Sequence, residues 1–89
     1  MKTVFFSIYD KATEAYMRPW SALSDGQAVR MFEDICLQAD HEIAKHPEDY
    51  ALFRIGTFDD SKGLLDPEEP VCVARAHEIR ARAQLRAKI

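Results

Sequence analysis

Glycine, cysteine and long apolar runs are scarce in this chain of 89 residues. Its three glycines, Gly26, Gly56 and Gly63, each stand alone. A phosphate-cradling loop needs several glycines within one turn, so that class of nucleotide site is excluded. The two cysteines, Cys36 and Cys72, are far apart in sequence and are expected on apolar faces of helices. They read as free thiols of a reducing compartment rather than as a disulfide. No stretch approaches the roughly 20 consecutive apolar residues of a membrane-spanning helix. The apolar run from Val4 to Tyr9 is too short for a signal peptide and lacks a small-residue cleavage site after it.

Residues that could carry chemistry are scattered. His41, His46 and His77 have neither His-x-x-x-His spacing nor a nearby cysteine, whereas a zinc site draws about four ligands from two such clusters. The carboxylate pairs Glu33-Asp34, Glu48-Asp49, Asp59-Asp60 and Glu68-Glu69 are adjacent in sequence, so their side chains diverge. Acid–base catalysis needs carboxylates that converge in a cleft. Ser7, Ser21, Ser24 and Ser61 have the contexts of a strand, a loop, a helix cap and a turn. The expectation is a protein that is not an enzyme, with no catalytic, cofactor-binding or metal-ligating residues.

What the chain does have is enough apolar material, 47% of its residues, for one core in one domain. Its net charge of −3 is unevenly spread. Residues 70–89 carry Arg75, Arg80, Arg82, Arg86 and Lys88 against Glu78 alone, a balance of +4, while residues 1–69 carry seven basic and fourteen acidic residues, a balance of −7. A basic tail on an acidic body either docks something anionic or bridges to its own body or a second copy.

Thr3 to Tyr9 is β-branched and aromatic on both alternating faces and predicts a strand. Asp10–Thr13 reads as a turn and Glu14–Arg18 as a returning strand that ends at Pro19, which cannot donate to a ladder. Trp20 reads as an aromatic of the core or of the sheet edge. Ser24 and Gln27 have capping-box spacing, and Ala28, Val29, Phe32, Ile35, Cys36 and Ala39 form one helical face that should fade around Gln38–Asp40. Pro47 forces a turn at His46. Tyr50–Phe58 is the best strand, with Gly56 calling for a bulge or a close neighbour, and Asp59–Gly63 is a hairpin connection. Leu64 and Leu65 begin a return strand that Asp66–Pro70 should end, leaving Val71–Ile89 for a second helix. Phe6-Ser7-Ile8 with Tyr9-Asp10 faintly echoes Phe53-Arg54-Ile55 with Phe58-Asp59.

The fold expected is α+β: an antiparallel four-stranded sheet of two hairpins with two helices packed on one face, in the order ββαββα. Residues 1–79 form the compact domain and 80–89 an arginine-rich helical extension. Arg75, Arg82 and Arg86 form a stripe along the last helix, with Arg80 on its opposite flank. With Lys88 they are the candidate contacts for nucleic acid or a partner. Ala76, Ala83 and Ala87 form a small-residue face suited to self-association. The aromatic strands could stack bases, but the core needs those rings and acids flank them, so the working surface is expected on the arginine stripe.

His46-Pro47-Glu48-Asp49-Tyr50, with Leu52-Phe53, Ile55-Gly56 and Phe58-Asp59, resembles the small non-structural protein of gokushoviruses, icosahedral single-stranded DNA phages of the microvirus family. Tyr9-Asp10, Ala15-Tyr16, Pro19, Ala28-x-Arg30-x-Phe32 and Pro70-Val71 are similar to that family too, and the resemblance spans about residues 3 to 78. It implies a phage accessory protein of the bacterial host cytoplasm, by analogy one acting in the replication or packaging of viral single-stranded DNA through phage or host proteins. It implies no catalytic residues. Alternatives are a virion-associated or self-associating (homodimeric) structural protein and a direct single-stranded DNA binder.

Overall fold

Lys2–Asp10 forms β1, the strand to which three others attach. The computed structural model describes residues 1–87. After β1 come β2 (Ala15–Tyr16), β3 (Trp20–Ala22), α1 (Asp25–Cys36), α2 (Glu42–Lys45), a 3-10 turn (Pro47–Asp49), β4 (Tyr50–Asp59), β5 (Leu64–Arg75) and α3 (Ala76–Ala87). The protein is α+β with an antiparallel sheet, as expected; the sheet has five strands rather than four, in the order β2-β1-β4-β5 with β3 also paired to β1. β4 pairs along all of β1, so β2 and β3 share the other edge of β1.

The expected second strand, Glu14–Arg18, shrinks to Ala15–Tyr16 and resumes as β3 beyond Pro19. Glu14 takes a left-handed turn conformation, with φ of 56°. Between the two pieces the chain is held at Met17, whose N–H donates to Ile8 and whose carbonyl accepts the buried Ser7 hydroxyl.

The larger correction concerns β5. Asp66–Pro70 does not end the strand, and Val71–Arg75 is strand rather than helix, with Arg75 paired to Ala51. Two prolines are tolerated because β5 is an edge strand whose outer side needs no ladder donors. Its register shifts between Arg54 and Gly56, leaving Glu68, Glu69 and Pro70 unmatched. Cys72 is therefore a strand residue, and α3 starts at Ala76.

The core lies between one face of the sheet and the helices. Phe6, Ile8, Ala22 and Leu52 from the strands meet Ala28, Phe32 and Cys36 of α1, Ile43 of α2, and Ala76 and Ile79 of α3. Burial of each large side chain contributes roughly 1.5–3 kcal/mol. α1 starts as anticipated: Ser24 accepts from the Gln27 N–H at 3.2 Å. The Gln27 side chain reaches back one residue further than a standard capping box, accepting from the Leu23 N–H at 2.8 Å. The helix stops at Cys36, short of the expected Gln38–Asp40. Arg54 fastens sheet to helix, donating to Asp25 in the first turn of α1 at 2.7 Å and to Glu68 of β5 at 2.6 Å.

Candidate interaction face

Strand alternation sends Phe6, Ile8 and Leu52 toward the helices and their neighbours Phe5, Ser7, Tyr9 and Phe53 to the opposite face. Cross-strand pairing adds Tyr16 opposite Tyr9, Cys72 opposite Phe53 and Leu65 opposite Phe58. None of these belongs to the core. The aromatic core instead consists of Phe6 and Phe32, flanked by Trp20 and Tyr50. The expectation that the core would consume the rings of the aromatic strands fails here, because a single helical layer covers only one face of a two-faced sheet.

Tyr9, Tyr16 and Phe53 form a three-ring cluster, with centroid separations of 4.9 Å (Tyr9–Tyr16), 5.6 Å (Tyr16–Phe53) and 6.3 Å (Tyr9–Phe53). Phe5 and Phe58 make a second, edge-on pair at 6.4 Å. Beside that pair, Phe5, Pro19, Ile55, Gly56, Leu65 and Pro67 line an apolar hollow of about 310 Å³. At the other end the face is bordered by Lys11 and Arg75 and by Glu48 and Asp49. These two cations and two carboxylates line the same end of the face, so the four together carry no net formal charge.

The structure separates the arginines that the sequence groups together. Arg75 ends β5, lies beside this face and has Glu78 at 3.7 Å. Arg80 is turned inward and donates to the Cys36 carbonyl at 3.0 Å, closing the C-terminal end of α1. Arg82 and Arg86 are exposed on α3, and Lys88 lies outside the described residues. Arg75, Arg82 and Arg86 therefore do not form a stripe on one helix. Of the small-residue face, Ala76 is fully buried in the core and has no surface to offer a second copy, whereas Ala83 is half-buried and Ala87 exposed.

His41 caps α2, its Nδ1 accepting from the Ile43 N–H at 3.1 Å, and His46 stands 3.7 Å from Glu42. Burial first, and then the carboxylates of Asp10, Glu42 and Asp49, push the Tyr50 phenol above its ordinary range. Burial likewise pushes the Cys36 thiol up to about 11. Among the described residues, no helix is long and apolar enough to cross a membrane.

The helix-free face could have been read from the sequence in one respect: Phe5 and Phe6 are adjacent, so a strand must send them to opposite sides. No curated protein and no solved structure matches the chain. Residues 3–79 match the model of a family described as Phage ORF5 protein.

Proposed function

We propose, for a chain that belongs to the Phage ORF5 protein family, a non-enzymatic accessory role carried out by the helix-free face of its sheet. In this reading the phage is of the gokushovirus type. The protein acts in the host cytoplasm on the replication or packaging of viral single-stranded DNA, through contacts with phage or host proteins. The observation that carries it is the apolar, aromatic face built by Phe5, Tyr9, Tyr16, Phe53 and Phe58, all outside the core. Contiguous apolar patches on a protein surface mark interaction sites.

The test is a phage carrying Tyr16→Ala and Phe53→Ala, with folding of the purified variant checked by circular dichroism. The expected result is a fall in single-stranded progeny DNA relative to the double-stranded replicative form. An unchanged ratio with a folded variant would refute the reading.

A second reading, direct binding of single-stranded DNA, is favoured by the three-ring cluster, since every base has a face that stacks on an aromatic ring. The balanced charge of Lys11 and Arg75 against Glu48 and Asp49 speaks against it, because phosphate binding rests on net positive charge. Salt-dependent binding of a thymidine oligonucleotide, lost on Tyr16→Ala, is the result that would favour it.

A further inference from the structure

The molecule exposes more surface than its mass accounts for. Its accessible area is 6066 Å², whereas a folded monomer of 10.2 kDa exposes about 5300 Å². Its radius of gyration is 14.1 Å, against about 12 Å for a compact domain of this length. The excess of about 750 Å² accompanies an elongated outline of 48 × 30 × 20 Å.

We infer that the helix-free face of the sheet is the interface of a homodimer, each copy covering the rings and the hollow of the other. This deepens the function proposed above and rests on its reading of that face as the working surface. Two observations select a second copy as the occupant. The face is apolar and aromatic across its width, with Tyr16 45% exposed on one edge strand and Leu65 68% exposed on the other, as a protein interface requires. Its charged border is balanced, Lys11 and Arg75 against Glu48 and Asp49. In a two-fold contact the same patch meets itself, so a balanced border can set the cations of one copy against the carboxylates of the other. A polyanion gains nothing from such a border. The dimer replaces the alanine face of α3 as the route to self-association, since Ala76 lies in the core.

Sedimentation velocity of the full chain at micromolar concentration should give a species of twice 10.2 kDa. Tyr16→Glu combined with Leu65→Glu should return it to a monomer. Leu85→Glu, on the exposed side of α3, should leave the dimer intact. A readout on the unaltered protein guards against a misfolded variant. Cys72 lines the face and Cys36 is buried, so alkylation of Cys72 should slow several-fold as concentration rises through the dimerisation range. A wild-type monomer, a dimer split by Leu85→Glu but not by the face variant, open-ended growth into larger species, or Cys72 reactivity independent of concentration would each overturn the proposal. If the chain is monomeric while the Tyr16→Ala, Phe53→Ala phage still loses single-stranded DNA, the dimer fails and the function proposed above stands.

Discussion

A β-carbon built on Gly56 would lie 2.6 Å from the carbonyl oxygen of Asp66 and 3.2 Å from Cα of Pro67. Both neighbours are backbone of the adjacent strand, so neither can swing aside. The close approach occurs where β5 runs out of register with β4, and it explains a glycine in the middle of a strand. Gly56→Ala is expected to cost about 1–3 kcal/mol, the range for overpacking a fitted site. Urea denaturation measures it. A variant as stable as the parent would show that β5 is free to move away.

Phe5 and Phe6 are neighbours with different fates. Phe6 is fully buried against the helices, whereas Phe5 packs only on the open face against Phe58. Phe6→Ala should cost about 3–5 kcal/mol. Phe5→Ala should cost about 1–2 kcal/mol when measured at concentrations that favour the monomer. Equal losses would contradict the assignment of faces.

Alkaline pH should destabilise the fold through Cys36. Its thiol titrates at about 11 in the native state against an ordinary value of 9.0, chiefly because it is buried. The folded pKa is raised, so this stabilising contribution is complete below pH 9 and disappears as pH rises toward 11. In that window the unfolded chain ionises first, and the loss should amount to about 2–3 kcal/mol. Tyr50, raised by burial and nearby carboxylates, acts in the same direction at higher pH. Denaturation midpoints measured between pH 8 and pH 11 should fall, and the slope should flatten in Cys36→Ala.

Arg80 and Arg82 should respond differently to the same change. Arg80→Met removes the donor at the Cys36 carbonyl and is expected to cost about 1–2 kcal/mol. Arg82→Met, at an exposed site, should stay within about 0.5 kcal/mol of the parent. Chemical denaturation of the two variants compares them directly, and equal effects would mean that Arg80 does not close α1.

The hairpin at Asp59–Gly63 was legible because its chemistry is local. Gly63 takes φ of +67°, and Asp59 holds the turn through Ser61 N–H at 3.0 Å and Ser61 Oγ at 2.7 Å, bonds that draw its carboxyl below the usual range. The start of α1 was legible for the same reason, since Ser24 and Gln27 act across three residues. Residues 71–75 were misread because Ala and Arg favour helices over short range. The alternation of Val71 and Val73 was the signal for a strand, and pairing with β4 made it decisive.

The sequence alone determined that the chain is α+β, where the Asp59–Gly63 hairpin turn lies and which residues begin α1, because those choices depend on neighbours a few positions away. Only the tertiary structure decided which face of each strand the helices cover, because periodicity shows that a strand has two faces without showing which one a helix will occupy. That choice buried Phe6 and left Phe5, Tyr9 and Phe53 outside the core, turned Arg80 inward, and moved the candidate working surface from the arginines of α3 to the open side of the sheet.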